Sequence, residues 1–266
     1  MRHRVYVEGI ALWAPLLPGW ELAREILRSE RTPTANPAPR PAPTLLAPTE
    51  RRRAPDTVAI ALEVATRACE LAQRDPASMC SVFASTHGDL AVTDSMCDTL
   101  AKTPALVSPI KFHNSVHNAA AGYWTIGVGC EQPYTAVSAW QHTFAAGLLE
   151  ALTQTVVQQD PVLYVAYDIA ARGPLGTMAT STGLLGAALV LAPGPTSASM
   201  VQLDWCARPA AAAGPSRASA ANGALVAGNA MSDCLPLFEA LAQCGPRDLS
   251  LLAAPQLELQ LELRPA

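Results

Sequence analysis

Tyr134-Thr135-Ala136-Val137-Ser138-Ala139-Trp140-Gln141-His142-Thr143-Phe144-Ala145-Ala146-Gly147 reads as a short apolar strand that turns sharply into a helix. Such a turn lifts one side chain clear of the backbone, and the helix N-terminus behind it stabilises negative charge there. A thiolate at position 141 would be a competent nucleophile. The Gln141 amide is not, because it has no proton to lose near neutral pH and no soft lone pair to offer. The stretch predicts a catalytic geometry without its chemistry.

Strands and helices alternate on both sides of this turn. Arg4 to Trp13 is β-branched and apolar and opens the chain as a strand, followed by a short amphipathic helix over Gly19–Ser29. Residues 32–48 hold Pro33, Pro37, Pro39, Pro41, Pro43 and Pro48, whose rings fix φ and remove donors, so this stretch is expected as an extended surface excursion. Pro55 and Asp56 start a helix running to Arg74, with Val58, Leu62, Ala65, Cys69 and Ala72 as its stripe. Cys80–Ala84 and Val162–Ala166 read as strands, and Leu90–Ala101, Ser115–Gly127 and the segment from the turn to Gln159 as helices. This order predicts an α/β fold with a mixed, mostly parallel sheet covered by helices. Further on, Ala187–Leu191 and Met200–Trp205 look like paired strands, Leu235–Gln243 like a helix, and Gln256–Leu263 like a half-exposed strand. Residues 207–221, rich in Ala, Pro, Gly and Ser, are expected as a loose loop. The whole of 1–266 reads as one domain.

Composition excludes several classes of function. Half of the 266 residues are apolar and the net charge is −4, but no apolar run is long enough to span a bilayer. The N-terminus runs directly into strand-like sequence without a signal-peptide core, so a cytoplasmic protein is expected. Aromatic residues are few and no basic–aromatic interleaving occurs, which argues against nucleic-acid binding. The seven cysteines are scattered singly, with no C-x-x-C pair, as in a reduced compartment. There is no G-x-S-x-G elbow and no P-loop, and Gln132 stands where a dinucleotide pattern starting at Gly127 needs its third glycine, so no cofactor is expected. His113 and His117 lie four residues apart without a compact ligand motif around them, and no metal is expected. Charge is uneven: nine Arg against five Glu through Arg53 give 9 − 5 = +4 there, and Arg51, Arg52 and Arg53 are candidates for contact with an acidic carrier protein or another partner.

Ser108-Pro109-Ile110-Lys111-Phe112-His113-Asn114-Ser115-Val116-His117-Asn118-Ala119-Ala120-Ala121-Gly122 closely resembles the run S-P-x-x-F-x-N-S-x-x-N-A-A-A-G of β-ketoacyl synthases in the thiolase superfamily. The opening strand, the run Val82-Phe83-Ala84-Ser85-Thr86-His87-Gly88-Asp89-Leu90, and the segments at 162–168 and 186–191 resemble the same N-terminal half. The resemblance implies a thiolase-like N-terminal half with a reduced C-terminal part. It also implies that Gln141 occupies the nucleophile position, as in chain-length-factor subunits, including the short ones of aryl-polyene pathways. Condensing enzymes of this family draw two histidines from their C-terminal half to stabilise developing negative charge, whereas no histidine here follows His142.

By that resemblance the chain is expected to be a non-catalytic partner of an active β-ketoacyl synthase, in a heterodimer or higher hetero-oligomer that meets an acyl carrier protein indirectly. Tyr134, Ala136 and Ser138 on the strand, together with Asn114, Ser115, His117 and Asn118, are candidates for the interface or the acyl tunnel. Trp140 and Phe144 join His117 as candidate bulk, with His142 beside the filled nucleophile position. Asn114, Ser115 and Asn118 are also expected to satisfy backbone groups at the start of their helix. Two other readings stand beside this one: a malonyl-thioester decarboxylase supplying starter units, and a stand-alone acyl-binding scaffold.

Overall fold

The computed structural model describes residues 2–212 and 214–266. In chain order its elements are β1 (His3–Ala14), β2 (Leu17–Pro18), α1 (Trp20–Leu27), α2 (Pro48–Arg53), α3 (Asp56–Ala72), β3 (Cys80–Ala84), α4 (Leu90–Lys102), α5 (Pro109–Ser115) and α6 (Ala119–Val128). They continue with β4 (Tyr134–Val137), α7 (Thr143–Gln158), β5 (Val162–Ile169), α8 (Gly173–Met178), β6 (Leu184–Ala192), β7 (Val201–Pro209), α9 (Ala220–Ala224), α10 (Leu235–Gln243), β8 (Arg247–Ala254) and β9 (Leu257–Pro265).

All strands join one mixed sheet in the order β4-β3-β5-β6-β1-β7-β9-β8, with β2 hairpinned onto β1. Parallel pairing does not prevail as expected: it is confined to β4-β3-β5. β6 and β7 do not pair with each other either, because β1 lies between them and runs antiparallel to both. The 193–200 link steps across β1, so β7 carries on in the direction of β6 on the other side. β8, not foreseen from sequence, joins β9 through the two-residue turn Pro255-Gln256, which dictates an antiparallel pair.

Two apolar layers cover the sheet. α3 lies on one face with α6, and eleven of its residues are buried. α7 lies on the other face with α1 and α10, and β8 and β9 fold back so that Leu251 and Leu259 share its core with Leu148 and Leu152. The reduced C-terminal part therefore closes over α7. The helix sits close on the sheet: a Cβ on Gly147 would stand 2.7 Å from the Ala84 Cβ, and the Tyr164 hydroxyl donates to the Phe144 carbonyl at 2.6 Å. Phe144 itself is buried, worth roughly 1.5–3 kcal/mol for a side chain of this kind.

Several carboxyl groups are accommodated inside. Glu8 on β1 is 0% exposed and receives two bonds from Arg74, at 2.8 and 3.0 Å. Buried carboxylates persist when paired and hydrogen-bonded in this way.

The two outer strands differ. Along β8 the Ser216 amide donates to the Ser250 carbonyl at 2.8 Å, and the Ser250 amide donates to Ser216 Oγ at 3.0 Å. Residues 207–221 are accordingly tied down rather than loose: β7 runs to Pro209, the Ala211 amide donates to Glu258 at 3.0 Å, and Ser219 binds Glu239. Ala213, within that stretch, lies outside the described residues. Among the described residues β4 has no such cover. The Pro-rich stretch 32–48 is largely exposed, and its final proline opens α2.

Candidate functional site

β4 delivers the chain to the turn. Ser81 and Ser85 donate their amides to the carbonyls of Pro133 and Val137, at 3.2 and 3.1 Å. In a strand, each residue's N–H and C=O point to one edge and its neighbour's to the other. Pro133, Thr135 and Val137 therefore face β3, while Tyr134, Ala136 and Ser138 turn their backbone groups outward to the open edge. The Tyr134 and Ala136 side chains are exposed as well.

The bend that follows is strained at one residue. Trp140 has φ +54°, a left-handed conformation that bulky side chains rarely adopt. Thr143 holds it there: its Oγ1 accepts from the Ala139 amide at 3.0 Å and donates to the Trp140 carbonyl at 2.7 Å. Ser138 Oγ adds a bond to the Thr86 carbonyl at 3.0 Å, and His87 stands edge-on to Trp140 with centroids 6.4 Å apart. The apex of the bend is thus Trp140, and Gln141 is the next residue in the short 3-10 turn that leads into α7. Neither side chain is a nucleophile.

Gln141 is exposed and lines two adjoining clefts. One, of about 360 Å³, is shared with Thr86, His87, Trp140, Thr180 and Asp233. The other, of about 460 Å³, is shared with His142, Ser216, Arg217 and Asp233. Beneath them lies Asp168, completely buried, which accepts from Ser85 Oγ at 2.8 Å and from the Thr86 amide at 2.9 Å. Burial pushes its carboxyl above the usual range, while those hydrogen bonds and nearby His87 oppose the rise. Thr86 Oγ1 and His87 Nε2 are buried atoms without a partner among the described residues. No cysteine lines either cleft. The thiols of Cys69 and Cys234 are buried, and burial pushes that of Cys69 up to about 12.

The other residues singled out by sequence scatter around this site. The helix expected over 115–127 is broken at Val116–Asn118, where the backbone of Val116 is extended, so α5 and α6 are separate. Asn118 does not cap α6 with its side chain; its Nδ2 donates to the Tyr134 hydroxyl at 2.8 Å. Ser115 bonds the Phe112 carbonyl within its own turn, and the Asn114 side-chain oxygen is buried without a partner among the described residues. His117 Nε2 lies 2.7 Å from the Ser85 carbonyl, so it is the protonated nitrogen, whereas His113 packs against Tyr123. The two histidines share no helix face, and no group of three metal-ligating side chains occurs among the described residues. Phe144 is a core residue and presents no surface. Arg51 is partly structural, donating to the Leu46 carbonyl at 2.9 Å; Arg52 and Arg53 are exposed.

Sequence reasoning passed over His87, Asp168 and Asp233. It also passed over an exposed apolar group, Leu106, Ile110, Phe112 and Val116, on the segment that leads to Asn118. A carboxylate ending the all-apolar strand β5 was the available signal for Asp168. No helix among the described residues is long and apolar enough to cross a membrane.

Comparison with known proteins agrees with this architecture. No curated protein sequence matches the chain. Among solved structures it is similar to a chain of the complex of a ketosynthase (ApeO) with its chain length factor (ApeC) from Xenorhabdus doucetiae. That match has 19% identity and TM-score 0.72, and covers 97% of this chain and 98% of that one. The ishigamide ketosynthase/chain length factor matches with 14% identity and TM-score 0.72 over 99% of each chain. A structure of a type II PKS acyl-carrier protein in complex with its ketosynthase, AntDE:AntF, matches with 11% identity and TM-score 0.74 over 100% of each chain. These likenesses carry the fold. The model of the family described as "Beta-ketoacyl synthase, N-terminal domain" matches residues 26–241, and the chain belongs to that family.

Proposed function

We propose that the chain is a non-catalytic, chain-length-factor-like subunit that pairs with an active β-ketoacyl synthase in polyketide- or polyene-type biosynthesis and helps to shape its acyl tunnel. The observation that carries this reading is the β4 edge, whose outward amides and carbonyls end at a strand–helix bend occupied by Trp140 and Gln141 instead of a nucleophile. An unpaired edge is a template for another strand. On the segment that leads to Asn118, Leu106, Ile110, Phe112 and Val116 expose apolar side chains of the kind that partners cover. Phe112 and Trp140 supply the exposed bulk, with His117 behind them.

Co-expression with a ketosynthase that retains its Cys and two His, followed by native mass spectrometry, tests the reading. A stable heteromeric complex is expected, and condensation is expected only when the partner is present. A chain that stays monomeric beside such a ketosynthase overturns it.

The decarboxylase reading rests on His87, which lines the same cleft as Gln141 and whose buried Nε2 has no partner among the described residues. Incubation of malonyl carrier protein with the chain alone separates the two: acetyl carrier protein in the mass spectrum favours the decarboxylase.

A further inference from the structure

A second groove lies away from the bend, against the side of β1. β6 pairs with one edge of β1 along Tyr6–Trp13. The other edge is shared: β7 covers His3–Val7 and β2 covers Trp13–Ala14. Between them, Glu8–Leu12 has no strand neighbour on that side among the described residues. Alternate residues of this window must direct N–H and C=O into the gap, and unpaired backbone groups at a sheet edge recruit another strand.

The gap opens into a groove of about 610 Å³ between two helical walls. Ile10 and Leu12 belong to the core on the α1 side, Ala11 and Trp13 to the core on the α3 side. A strand laid along this edge alternates in the same way. One set of its side chains meets Trp20 and Leu22, an apolar wall. The other set meets α3, where Leu71 is 44% exposed and Glu63, Arg67 and Glu70 form the lip. Arg67 is already engaged by both glutamates, at 3.1 and 2.8 Å, and Glu21 adds another carboxylate from the opposite side. Three carboxylates against one guanidinium leave the mouth acidic.

We infer that this groove docks an extended segment of a partner protein in which apolar residues alternate with Lys or Arg. The segment adds to the sheet beside Gly9–Leu12, its apolar side chains lying on Trp20 and Leu22 and its cationic ones reaching Glu63 and Glu70. The groove lies on β1, four places from β4 in the sheet, so its occupant and a ketosynthase on the β4 edge bind side by side.

The test uses the full chain and three acetylated, amidated hexapeptides: alternating valine and lysine, alternating valine and glutamate, and the valine–lysine peptide N-methylated at alternate amides. Fluorescence anisotropy is expected to show binding of the valine–lysine peptide alone, with amide-exchange protection at Gly9–Leu12. The double variant Glu63→Gln/Glu70→Gln, at one half-buried and one exposed carboxylate, weakens that binding about tenfold and leaves ketosynthase pairing unchanged. Equal binding of the acidic or N-methylated peptide, absence of protection at Gly9–Leu12, or no binding of any peptide at millimolar concentration overturns the inference. So does self-association of the chain that Leu71→Glu abolishes, since the occupant is then a second copy.

Discussion

The Tyr134 hydroxyl and the Asn118 side chain are joined by a 2.8 Å hydrogen bond, and through it the start of α6 is tied to the outermost strand of the sheet. The bond fixes the phenol at the rim of the open edge and thereby links the edge strand to the start of α6. The backbone of that edge can be tested apart from its side chains.

Ala136→Pro removes an outward N–H while leaving the pairing with β3 intact. Proline is tolerated on an edge strand at such a position. The variant is expected to fold, with a circular-dichroism melt near that of the parent, and to fail to co-elute with a ketosynthase. Thr135→Pro, which removes an inward donor instead, is expected to lower stability by about 1–3 kcal/mol.

Arg74→Ala strands the fully buried Glu8 without its cationic partner, leaving the Thr196 hydroxyl as its side-chain donor. A loss of about 3–5 kcal/mol in urea unfolding is expected. Glu8→Gln combined with Arg74→Ala recovers much of it, because the cost lies in the uncompensated charge rather than in the lost contact.

Gly9→Ala places a Cβ 2.1 Å from the Ala68 carbonyl oxygen. The obstacle is helix backbone, so neither wall can yield cheaply, and the cost is expected to exceed the roughly 1–3 kcal/mol typical of overpacking. The variant should be recovered mainly as insoluble protein, and Ala68→Gly should not rescue it.

Glu258 is 2% exposed and held below the usual glutamate range by the Ala211 amide and by Arg208. Its folded pKa lies below its unfolded value of about 4.3. The stabilisation is therefore present above that value and lost as pH falls through the folded one. Asp204, lowered by Arg4, acts in the same sense. Asp168, raised by burial, acts in the opposite one, its contribution fading as pH rises. Unfolding free energies measured at a series of pH values below about 4.3 should fall more gently for Glu258→Gln than for the parent.

Much of this architecture was legible because periodicity reports burial. β3 and α10 begin and end where the apolar pattern places them, and β1, α3 and α7 differ by a residue or two at their ends. Periodicity does not report neighbours, and so β6 and β7 were expected to pair although β1 lies between them. The break at Val116 was hidden because the alanines after it continue a helical pattern. At the site, the bend was legible, whereas Trp140 as its strained residue was not: the left-handed φ is imposed by Thr143 and nothing in the tryptophan itself signals it. His87 and Asp168 lie far apart in sequence and meet only because β3 and β5 are adjacent.

The sheet has one sealed margin and one bare one. Of its two outer strands, β8 has the backbone of Ser250 already occupied by Ser216, whereas no backbone partner lies along the outer side of β4 among the described residues. The margins thus offer one bare templating strand rather than two, which favours a closed pair over end-to-end stacking at the rims of the sheet.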